Sequence, residues 1–380
     1  EIGSNAKIAS LKLRVLKPEQ KKIGYENLQK DIEEKAKEII EANKKDIANA
    51  INKNLSKPLI NRLKIDEESI LGIIKSIIEI KNQPDPIGEV LENWRQPNGL
   101  KFSKITVPLG VLGVIYESRP NVTIDAACLA LKSSNSLILR GGSDSFYTSK
   151  KLVSIINKSF NKAELPKNTI QMIPTPNRDA VDYLLKMDEY VNVIIPRGGK
   201  SLIKKINEKS KIPVIKHLEG LCHIYVDKEA NIEIAKKIIF NSKLRRPEIC
   251  GAAETLLIDH AIKDKAYELI KPLHDAGCKI KGDNFIKLLN DNFELADEED
   301  WSTEYLDSII SVKIVNGVKG AIDHINNYSS NHTESIITEN EEVFLNFHNN
   351  IDSAIILKNA STQFADGGEF GFGGEIGIST

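Results

Sequence analysis

The chain has 380 residues, and at roughly 100–200 residues per domain this length predicts two or three domains with buried cores. Lys and Arg number 52 against 53 Asp and Glu, a net charge of -1, so no overall positive field is available to attract nucleic acid or anionic lipid. The composition, 41% hydrophobic and 28% charged, excludes a disordered or fibrous chain. The longest nearly apolar run, 105–116, is too short for a membrane span and no secretory pattern opens the chain, so we expect a cytoplasmic protein.

The chain begins with a segment predicted to be helical. Apolar residues recur three and four positions apart from Lys7 to about Lys81, with charged residues between them. Pro84, Pro86 and a Pro-Asn-Gly turn at 97–99 end this pattern, and the residues after the turn alternate as a strand. A hairpin is therefore predicted over about residues 98–109.

Strands and helices alternate in the rest of the chain, which predicts βαβ units around buried parallel sheets. In the first such region the predicted strands are 110–116, 136–139, 169–173, 190–195 and 212–215, and the predicted helices are 124–132, 149–161, 179–187 and 201–209. The alternation restarts after the midpoint with strands 223–226, 255–258, 309–315, 334–338 and 353–357 and helices 232–241, 266–276, 321–327 and 341–347. The restart predicts a second α/β domain.

Cys250 is the candidate nucleophile among the four cysteines, at 128, 222, 250 and 278. It follows Arg245 and Arg246 at the start of an apolar stretch, and nearby cations stabilise a thiolate. From the residues alone, a nucleophile and a small buried hydrophobe are equally good interpretations. The other three cysteines are expected to be structural. No CxxC pair or paired Cys/His spacing occurs, so we expect reduced thiols and no metal.

Two Gly-rich turns, 139–144 and 196–201, follow predicted strands and precede predicted helices. Such turns let backbone N–H groups approach a phosphate, although neither has the GxGxxG or Walker spacing and plain connectors remain an alternative. Asn121, in a similar position, is either a donor to an oxyanion or a helix cap. Glu219 is either a base or a solvated turn carboxylate.

Taken together and in order, several segments closely resemble the gamma-glutamyl phosphate reductases, or glutamate-5-semialdehyde dehydrogenases, of the aldehyde dehydrogenase superfamily. The segments that carry the resemblance span the chain: 107–121, 137–142, 195–199, 222–227, 246–250, 254–257 and 359–368. The resemblance implies an α/β, aldehyde dehydrogenase-like fold with two Rossmann-like parallel-sheet domains and a small oligomerisation hairpin and tail. The implied parts are an NADPH-binding domain, 1–218, with the hairpin at about 98–109, a catalytic domain carrying Cys250, 219–348, and a C-terminal return segment, 349–380.

The resemblance implies reduction of L-glutamyl 5-phosphate by NADPH to L-glutamate 5-semialdehyde and phosphate, through a thioester on Cys250, as the second step of proline synthesis. Asn121 is implied to form the oxyanion hole with the backbone N–H of Cys250. The implied cofactor-binding residues are Arg140, Gly141, Gly142, Ser143, Pro196, Arg197, Gly198, Gly199 and Glu304. The implied substrate-binding residues are Arg119, Arg245, Arg246, Asn331 and His332.

Ser143 bears on the choice of cofactor. It lies three positions beyond Arg140, where many NAD-using relatives have a glutamate that would repel a 2′-phosphate. Arg140 itself is cationic, so we expect NADPH to be preferred over NADH, although Asp144 could restore a ribose contact. Glu219 falls near the base that oxidising relatives use to activate water, and a reductase should not need it. Glu304 resembles the ribose-binding glutamate of the superfamily, although the residues around it depart from the common pattern.

The resemblance also implies partners. We expect a homo-oligomer, dimer or tetramer, acting beside a separate glutamate 5-kinase that supplies the acyl phosphate. Family members generally continue past residue 380 with a basic stretch and a final strand used in oligomerisation, which this sequence does not include. The alternative function is that of another thioester-forming aldehyde dehydrogenase, such as one releasing a coenzyme A ester, which would share the cysteine, the asparagine and the fold.

Overall fold

A computed structural model describes residues 1–55, 57–216, 219–371 and 373–379. The chain divides into two compact units, Glu1–His217 with Gly373–Gly377 and Leu218–Phe372 with Ile378–Thr380. Each unit is built on its own parallel sheet, which confirms the predicted fold class. Within the described ranges, no helix has the length and apolar character that crossing a membrane requires.

The first unit opens with helices whose apolar stripes are buried, among them Leu28, Ile32 and Ile77 at 0% exposure. These helices are α1 (Ile2–Leu13), α2 (Pro18–Glu34), α3 (Ala36–Asn52), α4 (Lys57–Leu63) and α5 (Glu67–Asn82). A hairpin follows, in which β1 (Val90–Arg95) and β2 (Lys101–Ile105) pair antiparallel. The prediction of a hairpin over about 98–109 omits the first strand, because the turn at 97–99 connects β1 to β2 and does not begin the hairpin.

The sheet of the first unit has the order β5-β4-β3-β6, and every pair is parallel. Its strands are β3 (Val111–Tyr116), β4 (Ser136–Gly141), β5 (Ile170–Met172) and β6 (Val193–Arg197). Its helices are α6 (Val122–Lys132), α7 (Phe146–Lys162), α8 (Asp179–Leu184) and α9 (Lys200–Lys209). The predicted strand 212–215 is only a single bridge between Ile194 and Val214, because Pro213 has no N–H to offer a ladder.

The sheet of the second unit has the order β10-β9-β11-β8-β7-β12-β13, again entirely parallel. Its strands are β7 (Cys222–Val226), β8 (Ala253–Asp259), β9 (Lys279–Gly282), β10 (Glu294–Leu295), β11 (Ile309–Val315), β12 (Thr333–Ile337) and β13 (Ile355–Lys358). Its helices are α10 (Ile232–Leu244), α11 (Ala266–Asp275), α12 (Asn284–Lys287), α13 (Gly317–Tyr328) and α14 (Glu341–Asn349). The sequence missed β9, β10 and α12, which have two to four residues each and lack the apolar runs that mark the equally short β5 and β13.

The predicted return segment, 349–380, is divided between the two units. Its strand β13 pairs with β12 in the second sheet, whereas Gly373–Gly377 belongs to the first unit. A Cβ on Gly374 would lie 2.8 Å from Leu129 of α6, so this stretch packs closely on the first unit.

Candidate active site

Cys250 lies in the loop between α10 and β8, before the amino end of a central strand of the second sheet. Its side chain is partly exposed, whereas Cys128, Cys222 and Cys278 are buried. Burial raises the pKa of the Cys128 and Cys222 thiols and raises that of Cys278 to about 12. Since the thiolate is the nucleophilic form and must reach a substrate, Cys250 is the cysteine suited to covalent chemistry.

A buried ion pair closes the base of this loop. Lys243, in the last turn of α10, donates to Glu254, the second residue of β8, with Nζ and Oε2 2.6 Å apart. Their side chains are 0% and 2% exposed. Burial raises the pKa of Glu254 to about 7 against the opposing effect of the Lys243 charge. The pair joins the two ends of the loop where no water can replace either partner.

A third chain segment supports the same loop. The Gln363 side chain donates from Nε2 to the carbonyl oxygens of Ser242, at 2.9 Å, and Arg246, at 3.3 Å. The Ser242 hydroxyl accepts from the backbone N–H of Thr362 at 3.1 Å. Gly251 faces this segment, and a Cβ there would lie 3.3 Å from the Thr362 carbonyl oxygen. The loop is therefore held by residues more than 100 positions away in sequence.

The backbone of Cys250 is contacted directly from the segment before β7. A Cβ on Gly220 would lie 2.0 Å from the Cys250 carbonyl oxygen, so the position cannot hold a side chain without a shift. The Cys222 thiol donates to the same oxygen at 3.1 Å. The Gly220 N–H in turn donates to Oε1 of Glu304 at 2.8 Å.

The other predicted residues of the second unit take different positions. His332 is fully buried, with Nδ1 3.5 Å from the Cys222 sulfur, so it packs beside the first residue of β7 and offers no surface to substrate. Arg245 is exposed and its guanidinium donates to Glu369 at 2.7 Å. Arg246 and Asn331 are exposed.

In the first unit, the predicted residues gather at the carboxyl ends of β3, β4 and β6, the edge where parallel sheets bind ligands. Asn121 is exposed at the start of α6; its side chain does not cap the helix but donates to Asp125 at 3.4 Å. Arg119 is also exposed, and Ser118 before it has a φ of 41°. This left-handed residue turns the chain between β3 and α6.

Glu117, which the sequence did not single out, joins the turns at this edge. Its Oε2 accepts from the Gly199 N–H at 3.0 Å, and a Cβ on Gly198 would lie 2.6 Å from that oxygen. A Cβ on Gly142 would lie 3.4 Å from the Cα of Glu117. Pro196 is buried in β6, and the Arg197 carbonyl accepts the Glu117 N–H at 3.0 Å. The glycines allow the three turns to approach one another.

Arg140 contacts the backbone at the end of β4 and of the loop at 176–177. It is only 6% exposed, and its guanidinium donates to the carbonyl oxygens of Gly141, Pro176 and Asn177 at 2.6, 3.0 and 3.1 Å. The expectation that Arg140 faces a cofactor phosphate therefore changes: the carbonyls take donors of both terminal nitrogens, and Nε is buried with no hydrogen-bond partner among the described residues. An arginine near the carboxyl end of a strand carries no local signal that distinguishes a contact with a cofactor from a contact with loop carbonyls.

The N-terminus of α7 is also occupied. Asp46, 1% exposed on α3, accepts from the backbone N–H groups of Tyr147 and Thr148 at 3.1 and 2.8 Å. An external phosphate would find these donors taken, so the turn before α7 offers Ser143 and the glycine backbone instead. Ser143 is half-buried, with its hydroxyl 3.3 Å from Asp144.

A cavity of about 310 Å³ lies beside α7 and β5 in this unit. Its lining residues include Phe146, Lys150, Val153, Ile170, Met172 and Pro174. Among the residues that the structure describes, no group of three or more His, Cys, Asp or Glu side chains is arranged to hold a metal ion.

Comparison with known proteins shows the family to which the chain belongs. Residues 27–280 match the aldehyde dehydrogenase family. An engineered glycolyl-CoA reductase with bound NADP+ superposes with a TM-score of 0.66 at 15% identity, over 100% of this chain and 90% of that one, which shows the shared fold. The chain belongs to the aldehyde dehydrogenase family, whose members use nicotinamide cofactors.

Within that family, the chain is similar over its whole length to gamma-glutamyl phosphate reductases. The reductase of Bartonella bacilliformis is 52% identical over 100% of this chain and 92% of its own length. The crystal structure of the Thermotoga maritima reductase superposes with a TM-score of 0.95 at 38% identity, over 100% of this chain and 92% of that one. These matches confirm the family resemblance drawn from the sequence.

The buried ion pair gives a test of the loop's support. Glu254→Gln leaves the Lys243 ammonium buried without a counter-charge, and we expect it to lower the free energy of unfolding by about 3–5 kcal/mol in urea titrations. The double variant Lys243→Met/Glu254→Leu removes both charges and should regain most of the loss. As a control, Asp275→Asn at the exposed pair with Lys271 should leave the unfolding midpoint almost unchanged. A double variant no more stable than Glu254→Gln would contradict a charge-based role.

Proposed function

We propose that this chain reduces L-glutamyl 5-phosphate to L-glutamate 5-semialdehyde with NADPH and releases phosphate, the second step of proline synthesis. The observation that carries the proposal is a partly exposed Cys250 on a braced loop, in a chain 52% identical over its full length to a gamma-glutamyl phosphate reductase. An acyl phosphate is already activated, so the chemistry requires a nucleophile, an oxyanion donor and a hydride source, without a metal.

Cys250 forms the covalent intermediate in this proposal. Its thiolate attacks the acyl carbon, a C–S bond forms, and the C–O bond to phosphate breaks with the electron pair leaving on phosphate. NADPH, when bound, supplies the hydride for reduction. Addition of hydride to the thioester carbon gives a thiohemiacetal oxyanion on Cys250. Its C=O bond re-forms as the C–S bond breaks, so the aldehyde departs and Cys250 is again a thiolate. Asn121, whose amide is exposed, and the backbone N–H of Cys250 are the proposed oxyanion donors.

The edge of the first sheet fits a dinucleotide. A Cβ on Gly198 would lie 2.6 Å from Oε2 of Glu117, and one on Gly142 would lie 3.3 Å from the backbone nitrogen of Ser118, so these glycines let the turns pack closely, as glycines do in dinucleotide-binding turns. The Gly199 N–H donates to the same Glu117 oxygen at 3.0 Å. Gly141, Ser143, Pro196 and Arg197 complete the proposed cofactor residues, with Glu304 proposed for the ribose as the resemblance implies. Arg140 enters this proposal as the support of the 141–143 turn through its carbonyl contacts.

Substrate recognition rests on the exposed cations. Arg119, Arg245 and Arg246 carry fixed positive charge that suits a carboxylate or a phosphate. Asn331 is exposed and is also proposed to contact substrate, whereas His332 is buried and is proposed to support Cys222 instead. Glu219 is proposed to be dispensable for reduction.

We also propose that the protein is a cytoplasmic homo-oligomer that receives its substrate from a separate glutamate 5-kinase. The hairpin supports self-association: every residue of β1 and β2 is exposed, and Trp94 and Phe102 stack there with ring centroids 5.2 Å apart. Exposed stacked aromatics on a two-stranded ribbon are apolar surface that a second copy could cover.

Replacing Cys250 tests the nucleophile. Cys250→Ala and Cys250→Ser should abolish the phosphate-dependent reduction of NADP by glutamate semialdehyde, the reaction measured in reverse, because neither side chain is a soft nucleophile that also leaves readily. Cys278→Ala removes a buried thiol and is the control. It should keep its activity once the rate is divided by the folded fraction that circular dichroism measures. Near-normal turnover by Cys250→Ser would place the nucleophile elsewhere, and activity with coenzyme A in place of phosphate would favour the alternative function.

Ser143→Glu tests the choice of cofactor. We expect the unmodified protein to prefer NADPH in kcat/KM, and a carboxylate at position 143 to narrow or reverse that preference by repelling the 2′-phosphate. Ser143→Ala, which adds no charge, should keep the preference. If the unmodified protein uses NADH as well as NADPH, the 141–143 turn does not select the cofactor.

Replacing the hairpin aromatics tests self-association. The double variant Trp94→Ser/Phe102→Ser should shift the protein to a smaller species in sedimentation analysis, because it removes the apolar surface of the ribbon. Leu71→Ser is the matched control, since Leu71 is 67% exposed on α5 and lies outside the hairpin. A monomeric unmodified protein, or an unchanged double variant, would overturn this proposal.

A further inference from the structure

The segment before β7 determines where the Cys250 backbone can lie. A Cβ on Gly220 would be 2.0 Å from the Cys250 carbonyl oxygen and 2.6 Å from its carbonyl carbon and Cα. Contact this close means that a displacement of Gly220 toward the loop must displace Cys250. The Cys222 thiol, two residues further on, donates to the same carbonyl oxygen at 3.1 Å.

Two side chains hold this segment in turn. The Gly220 N–H donates to Oε1 of Glu304 at 2.8 Å, and a carboxylate acceptor makes this bond stronger than a neutral one. The next N–H, that of Leu221, donates to the Ser330 hydroxyl at 2.9 Å. Glu304 precedes β11 and Ser330 precedes β12, so the amino ends of two other strands locate the segment that contacts the nucleophile.

The residue after Glu304 lies near the helix residue at the start of the loop. The Tyr305 ring lies 6.0 Å from the Lys243 ammonium, the cation at the base of the cysteine loop. The Tyr305 hydroxyl donates to Asp300 at 2.9 Å, and Asp300 is only 6% exposed. Glu304 therefore adjoins a residue whose side chain is fixed by a partly buried hydrogen bond. This restricts where the Glu304 carboxylate, and the Gly220 N–H bound to it, can lie.

We infer that Glu304 is a positioning residue for Cys250, acting through the backbone N–H of Gly220. The inference rests on the proposed function in taking Cys250 as the nucleophile. It adds to the cofactor role that the resemblance implies, and it predicts an effect of Glu304 on Cys250 when no cofactor is present.

The test is acylation of Cys250 without NADPH. With p-nitrophenyl acetate, the burst of p-nitrophenolate reports attack by the Cys250 thiolate. Glu304→Ala should slow this burst roughly 10- to 100-fold, the cost of a misplaced reacting group, while Glu304→Gln keeps an oxygen acceptor for Gly220 and should recover most of the rate. Asp307→Ala, an exposed carboxylate three residues away, is the matched control and should acylate normally.

Hydrogen exchange provides a readout that does not depend on activity. In Glu304→Ala, the Gly220 amide should exchange faster by mass spectrometry of the peptide spanning 219–222, with protection retained in Glu304→Gln and in Asp307→Ala. An unchanged burst and unchanged Gly220 protection in Glu304→Ala, with only a raised KM for NADPH, would overturn the inference and leave Glu304 as a cofactor residue. A burst in the unmodified protein that persists in Cys250→Ala would instead contradict the proposed nucleophile.

Discussion

The second unit depends on a buried ion pair. Lys243 and Glu254 are almost completely excluded from water, and they tie the last turn of α10 to the start of β8. Between them lies the loop that carries Cys250. Two charges in such surroundings are tolerated only when they compensate each other, so the ends of the loop cannot separate without exposing both. The loop can therefore be irregular, and leave Cys250 partly exposed, while its ends stay fixed.

Further contacts restrict the loop from inside. Gln363 donates to the carbonyl oxygen of Arg246 in the loop and to that of Ser242 in α10, and Gly220 and Cys222 contact the carbonyl group of Cys250 itself. These contacts come from separate segments that converge at the amino ends of neighbouring parallel strands. A nucleophile placed in this way loses little conformational freedom when it reacts, which is how a fold lowers the entropic cost of a covalent step.

In the first unit, one carboxylate joins turns that follow the strands of the sheet. The carboxyl ends of β3, β4 and β6 are adjacent, and Glu117 joins the turns that follow β3 and β6. Two groups that could bind a ligand are used within the protein. Arg140 donates to loop carbonyl oxygens, and the Asp46 carboxylate accepts from the N-terminal N–H groups of α7. In the proposed function, the glycine backbone and the half-buried Ser143 remain to contact a dinucleotide.

The sequence by itself determined the periodic structure and the family. Strand and helix periods are local, so β3, α6, β8 and β11 were found almost at their observed bounds, and the family resemblance singled out Cys250 from four thiols. Short or proline-containing segments such as 212–215 could not be predicted correctly, because the ladder bonds they form depend on a neighbour.

Only the tertiary structure decided what each charged side chain contacts. Arg140 and Arg245 look alike in sequence, yet one is buried on carbonyl oxygens and the other is exposed beside Glu369. The contacts of Gly220 with Cys250 and of Gln363 with Ser242 join residues 30 and 121 positions apart. No period or motif encodes such pairs, since they exist only after separate strands have been brought side by side in one sheet.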